Sequence, residues 1–141
     1  DPTFAGAWNN KGTAFAELGD FDKAINYYER AIEIDPTCAS AWNNKGLAFS
    51  ELGDFDKKIK CYEKAIEIDP TCADAYGNLG VVFIHLHKFN EALFKFRKAR
   101  EQFIKRDSDL FVNDIEKLNK YELWTKNILE LMNQLEPLDT Q

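Results

Sequence analysis

Three asparagines recur at a fixed step along this chain: Asn10, Asn44 and Asn78 stand 34 residues apart, and the first two are preceded by Asn9 and Asn43. A carboxamide both donates and accepts hydrogen bonds, which suits gripping the backbone of another chain without reading its side chains. Asparagine is a mediocre residue in mid-helix, so its recurrence calls for a reason. Other chemistry-bearing groups are sparse. His85 and His87 are two apart, a spacing that turns them to different faces of a helix; this is the pattern of a solvent-facing and a turn histidine, not of a metal pair. Cys38, Cys61 and Cys72 are odd in number, which argues against a complete disulfide framework. Cys38 and Cys72 hold equivalent places in the repeat described below. Stacked helical units set equivalent atoms about 10 Å apart, too far for a bridge that needs Cα atoms within roughly 7 Å. Free thiols in a reducing compartment follow. There is no glycine-rich phosphate loop, serine nucleophile elbow or Cys-x-x-Cys pair. No catalytic residue, metal site or cofactor is expected, and the protein reads as a non-enzyme.

The asparagine step is the period of the whole chain. Residues 1–34 laid over 35–68 give 26 identities in 34. A looser third copy restarts at Asp69-Pro70-Thr71-Cys72, where Ala75-Tyr76-Gly77-Asn78-Leu79-Gly80 answers Ala41-Trp42-Asn43-Asn44-Lys45-Gly46. A fixed period of this size means a repeat array. Within one unit, Ala7, Trp8, Ala14, Phe15 and Leu18 have helical spacing, and Gly19 ends that helix as a glycine just past a helix commonly does. Phe21, Ala24, Ile25, Tyr28, Ala31 and Ile32 mark a second helix, stopped by Pro36. Each unit is therefore a helix hairpin. Gly12 sits mid-helix, where glycine costs about 1 kcal/mol relative to alanine, so a close approach of the partner helix is expected there. Ala24 and Ala31 offer the matching shallow surface, and Trp8, Phe15 and Tyr28 are expected to fill the space around it.

These residues resemble the tetratricopeptide repeat pattern. Trp8, Gly12, Phe15, Ala24, Tyr28 and Pro36 meet it in the first unit. Trp42, Gly46, Phe49, Tyr62, Ala65 and Pro70 meet it in the second, and Tyr76, Leu79, Gly80, Phe83, Ala92, Phe96 and Ala99 in the third. The departures are specific. Lys11 and Lys45 stand where Leu is usual, and should run their stems along the groove with the ammonium in water. Lys58 takes the small-residue place of Ala24 and Ala92, which works against tight closure of the second hairpin. His87 replaces Gly19 and Gly53, and Ile104 stands where Pro is usual.

From Val81 to Glu136 there is neither Gly nor Pro. The second helix of the third unit, starting near Phe89, is thus predicted to run to about Arg106, with a break at Asp107-Ser108-Asp109. Beyond it Phe111, Ile115, Leu118, Tyr121, Trp124, Ile128, Leu131, Met132 and Leu135 recur at helical steps up to Pro137. The first half of this long helix should cap the apolar flank of the third unit, as terminal solenoid elements must. The second half, from Trp124 to Leu135, is expected to overhang and could pair with a second copy.

The predicted fold is an all-α, right-handed superhelical solenoid. Residues 1–4 end a preceding repeat or linker; 5–38, 39–72 and 73–106 are the repeats; 108–136 is a C-terminal capping helix and 137–141 a tail. In tetratricopeptide arrays the first helices line a concave groove, and the resemblance implies that Asn10, Asn44 and Asn78 face into it. Asn9, Thr13, Glu17, Asn43, Leu47, Glu51, Asp74, Val81 and His85 complete the expected peptide-binding set, with Ile84 adding apolar surface. Glu17, Glu51 and Asp74 disfavour acidic ligands. The chaperone-tail class of the family clamps a terminal carboxylate with groove lysines and an arginine. Here Asn9, Thr13, Asp74 and Asn78 hold most of those places, so no such clamp is expected.

The function so implied is a protein-protein interaction module that binds an extended, neutral or basic peptide. Two alternatives stand beside it: a self-associating scaffold element, with a homodimer through the C-terminal helix as its form, and the regulatory arm of a larger enzyme. A net charge of −6 argues against nucleic acid, whose binders concentrate Lys and Arg. No apolar run reaches about 18 residues and no secretory segment opens the chain, so no membrane partner is expected and a cytoplasmic location is.

Overall fold

The computed structural model describes residues 4–105 and 112–135. The described residues form seven α-helices and no strand: α1 Ala5–Glu17, α2 Phe21–Ile34, α3 Ala39–Glu51, α4 Phe55–Ile68, α5 Ala73–His85, α6 Phe89–Lys105 and α7 Val112–Leu135. No helix among the described residues is long and apolar enough to cross a membrane. The chain divides into two compact units, Asp1–Ala75 and Tyr76–Gln141. The expected break at Asp107-Ser108-Asp109, and the places of Pro2 and Pro137, lie outside the described residues.

Single residues set the helix ends. Gly19 and Gly53 adopt φ of 79° and 76°, a left-handed conformation that glycine takes without a Cβ clash. The residue after each, Asp20 or Asp54, accepts a hydrogen bond from the backbone N–H of Lys23 at 3.2 Å or Lys57 at 3.1 Å and so caps the next helix. At the far end of the hairpin, Asp35 Oδ1 accepts from the Thr37 N–H at 2.9 Å and the Thr37 hydroxyl at 2.7 Å. Asp69 and Thr71 repeat the same turn at 2.9 and 2.6 Å. The Thr37 hydroxyl, with its N–H second, holds the Asp35 carboxyl below its ordinary range.

In the first unit each hairpin closes on an aromatic ring laid against a glycine. A Cβ added at Gly12 would lie 2.6 Å from Tyr28 Cε1, and one at Gly46 2.6 Å from Tyr62 Cε1. Ala24, Ala31 and Ala65 are wholly buried, Ala24 in the same cluster as the Tyr28 ring. Trp8 and Phe15 pack around this seam as the sequence suggested, Phe15 against the cluster of Ala24, Ile25 and Tyr28 and Trp8 against that of Ala5, Ala31 and Ala41. Both also stack on Tyr27, with centroids 5.8 and 5.1 Å apart. Gly46→Ala should cost about 2 kcal/mol in urea unfolding, since the buried Tyr62 ring has to move.

Of the two lysines in the places of Leu, Lys11 is exposed as expected and Lys45 is not. Lys45 keeps only 15% of its side chain exposed and pairs with Glu29 of α2 at 3.0 Å, while Lys11 lies over the rings of Tyr27 and Trp8. Aromatic faces attract both ammonium groups. The second hairpin closes despite Lys58, whose residue is 5% exposed. Its ammonium donates to Ser50 Oγ at 3.4 Å and sits 3.9 Å from the Phe55 ring centroid. Burial pushes the Lys58 pKa down, so the folded state disfavours the charge that the unfolded chain carries freely. That penalty is fully present below the folded pKa and vanishes above the unfolded value of about 10.4. Lys58→Met should therefore stabilise the protein at neutral pH by about 1 kcal/mol. Its advantage over the parent should shrink as denaturation is repeated towards pH 10.4.

In the second unit α5, α6 and α7 enclose Leu79, Val82, Phe96, Phe103, Tyr121 and Ile128. Gly80 admits the Phe96 ring, and Gly77 admits Tyr121 of α7. Tyr121 stacks on Phe96 and Phe103 with centroids 5.8 Å apart in each case. Trp124 packs on Phe96 at 5.2 Å, and Arg100 pairs with Glu122 at 3.0 Å. The packed seam thus runs through Trp124 to Ile128, beyond the point where an overhang was expected; Leu131 is the next apolar residue of the stripe and is 46% exposed. His87 adopts φ of 57° in the place of Gly19 and Gly53, at a cost of about 1–2 kcal/mol for a residue with a Cβ. His87→Gly should raise stability by about 1 kcal/mol, read as a higher urea midpoint at unchanged slope.

Candidate functional site

Helical arithmetic places Asn9, Thr13 and Ala16–Glu17 on one side of α1, and Asn44, Leu47–Ala48 and Glu51 on one side of α3. These two sides meet. Between them lies a cleft of about 400 Å³ lined by Thr13, Ala16, Glu17, Phe21, Tyr28, Asn44, Leu47, Ala48 and Glu51. Ala16, Phe21, Ala48 and Tyr28 make its floor apolar, and Glu17 and Glu51, both exposed, set carboxylates at equivalent places of the two repeats. Leu47 presents 42% of its surface to solvent. The lining contains no cation.

The cleft is held by an amide-to-amide bond. Asn44 Nδ2 donates to Asn9 Oδ1 at 3.1 Å, and Asn9 Nδ2 reaches Ser40 Oγ at 3.5 Å. Asn9 is 9% exposed and Asn43 7%, so both are corrected from ligand contacts to interior residues. A buried carboxamide must find partners in its own protein, and Asn9 finds them on α3. Asn44 is half-buried and Asn10 exposed; the amide of Asn44 is partly spent on the fold. Below them the Thr13 hydroxyl donates to the Asn9 carbonyl at 3.2 Å and the Tyr28 hydroxyl donates to Thr13 Oγ1 at 3.4 Å. Burial pushes the Tyr28 phenol up, with Thr13 opposing and Glu17 assisting.

Of the remaining expected residues, Asp74 is half-buried on α5 in the last stretch of the first unit. Asn78 and Val81 are half-buried and His85 exposed on the second unit. Sequence reasoning missed Ala16, Phe21, Tyr28 and Ala48. Three of them were legible: Ala16 follows Thr13 by three, Ala48 follows Asn44 by four, and Phe21 opens the helix beyond the Gly19 turn. Among the described residues no group of three His, Cys, Asp or Glu side chains could hold a metal.

Tetratricopeptide repeat models match residues 5–38, 39–72 and 61–94. The chain belongs to the tetratricopeptide repeat family. Its solved relatives include MamA, 33% identical over 75% of this chain with a TM-score of 0.69; this tetratricopeptide chain spans 62% of that one. The second tetratricopeptide domain of Spaghetti (RPAP3), bound to the HSP90 peptide SRMEEVD, is 26% identical over 67% of this chain and 88% of its own, with a TM-score of 0.64. The TPR2B domain of yeast Sti1, in a pHsp70 complex, shares the fold at 22% identity and a TM-score of 0.77, over 90% of this chain and 97% of its own. No curated protein matches the chain.

The Asn9–Asn44 bond is open to direct measurement. Asn9→Ala and Asn44→Ala should each cost about 1.5 kcal/mol, and the double variant about 2 kcal/mol. The shortfall from additivity in urea unfolding is the coupling between the two amides.

Proposed function

We propose that this protein is an interaction module that holds an extended, neutral or basic peptide segment in the cleft between α1 and α3. The observation that carries the reading is the lining itself. An apolar floor sits under Leu47, the Asn44 amide, whose Nδ2 donates to Asn9, lines the cleft, and two carboxylates, Glu17 and Glu51, stand without a cation among the lining residues. The Asn44 carbonyl can accept from a peptide N–H, the floor can take one apolar side chain, and the carboxylates favour Lys or Arg on either side of it.

The Spaghetti domain supports peptide capture by this fold, since its structure holds a bound peptide. That peptide is acidic. The cleft here carries the opposite preference, because a glutamate of the ligand would face Glu17 or Glu51 at a cost that rises as the site is desolvated.

The reading is tested by fluorescence polarisation against octapeptides that differ only in charge. Basic members should bind best and weaken with salt. Joint Glu17→Lys and Glu51→Lys substitution should reduce their affinity at least ten-fold and turn the preference towards acidic members, while Leu47→Asp should weaken all members. Equal affinity for acidic and basic peptides, or unchanged binding in the charge-reversed variant, would overturn the proposal.

A further inference from the structure

Helix α6 carries five cations, Lys95, Arg97, Lys98, Arg100 and Lys105, against two carboxylates, Glu91 and Glu101, in a chain of net charge −6. Helical geometry sets Phe94, Arg97, Lys98, Glu101, Ile104 and Lys105 in one stripe, on the side away from the buried Ala92, Phe96, Ala99 and Phe103. Within the stripe Phe94 is 55% and Ile104 56% exposed. Hollows of about 410 and 290 Å³ open beside these two side chains.

The opening belongs to the repeat and not to an end of the chain. The equivalent side of α2 keeps Asn26, Glu29, Arg30 and Glu33 exposed although α1 and α3 both pack on that helix, and Lys60, Glu63 and Glu67 are exposed on α4. What differs on α6 is the chemistry. Phe94 takes the place of Asn26 and Lys60, and Arg97 that of Glu29 and Glu63. On the earlier helices Arg30 pairs with Glu33 at 2.8 Å and Lys64 with Glu67 at 3.0 Å. On α6 one carboxylate, Glu101, serves both Lys105 at 2.6 Å and Lys98 at 3.6 Å. Arg97 is exposed and meets no carboxylate within ion-pair reach among the described residues. The third repeat thus shows an aromatic ring and surplus positive charge where its neighbours are polar and balanced.

We infer that this stripe of α6 docks an acidic amphipathic helix of a partner protein, apart from the cleft and with the opposite charge preference. Ten residues at a rise of about 1.5 Å set Phe94 and Ile104 about 15 Å apart. A partner helix spans that distance with apolar residues eleven apart on one face, one for each hollow, and acidic residues between them meet Arg97, Lys98 and Lys105. Charge selects among occupants. A basic partner of the kind the cleft prefers meets surplus cations here. An anionic membrane surface attracts α6, but α6 itself is +3, so the rest of the chain carries −9 and is repelled. Two copies meeting through this stripe oppose like charges. The acidic first unit of a second copy has Glu33, Asp54 and Glu67 already engaged by Arg30, Lys57 and Lys64.

The probe is a fluorescent alanine-rich helix of about 20 residues, held by a lactam on its far side. It carries leucines eleven apart and glutamates four and seven residues after the first leucine, all on one face. Titrated with the whole chain, its polarisation should rise saturably. Moving one leucine to the opposite face of the probe should weaken binding at least ten-fold, and replacing both glutamates by glutamine about five-fold, since exposed ion pairs are weak. In the protein, Phe94→Asn should weaken both the glutamate and the glutamine probe, whereas Arg97→Glu should weaken the glutamate probe at least ten-fold and leave the glutamine probe within two-fold. Both substitutions install the first or second repeat's own residue at an exposed place, and the urea midpoint should stay that of the parent. Basic octapeptides should bind parent and variants alike, which separates this surface from the cleft. Absence of saturable binding to the parent overturns the inference, as does equal binding of the glutamate and glutamine probes. So does sedimentation of the chain with phosphatidylserine vesicles that Arg97→Glu abolishes, or a dimer in light scattering that the same substitution dissolves.

Discussion

The structure depends on aromatic rings resting where a side chain is absent. Tyr28 lies on Gly12, Tyr62 on Gly46 and Phe96 on Gly80, each so close that even a methyl group at the glycine would collide. Glycine in the middle of a helix is unfavourable by itself, so its presence three times over is explained only by what it admits. The approach lets two short helices bury alanines that could not otherwise reach each other, and neither helix of a hairpin has enough apolar surface to stand alone. Gly77 extends the rule to the end of the described chain by admitting Tyr121, so α7 joins the second unit through the same kind of contact.

That constraint also determines what is left over for recognition. Tyr28 and the alanines fill the hairpin seam, Trp8 and Phe15 pack beside them and stack on Tyr27, and the inner side of the hairpin receives Asn9, Thr13 and Glu17. The inner side of α1 and the inner side of α3 then meet through a polar bond, Asn44 to Asn9, and not through oily side chains. Beside this polar joint lies a cleft with an apolar floor and the carboxylates of Glu17 and Glu51.

Departures from the repeat are absorbed locally. Lys58 occupies an alanine's place by threading its stem to the surface of Phe55 and the Ser50 hydroxyl, so the hairpin closes with a depressed ammonium pKa as the residual cost. His87 takes a glycine's backbone conformation and stores the strain in one turn. Neither change moves the ring-on-glycine contact of its repeat, which is why both are tolerated.

The sequence by itself determined the period, the helix ends and the partition into hairpins, because these rest on neighbours in the chain: Gly19 with Asp20, Asp35 with Pro36 and Thr37, apolar residues at three and four residue steps. It also named Thr13, Glu17, Asn44, Leu47 and Glu51, five residues that line the cleft. Only the tertiary structure decided that Asn9 would turn inward and bond Asn44, that Tyr27 would stack on both Trp8 and Phe15, and that Trp124 and Ile128 would pack instead of overhanging. Those outcomes depend on which of several equally apolar or equally polar side chains first fills a space opened by a residue far away in sequence. No local pattern records that choice, since the energy of each contact exists only once two helices have come together.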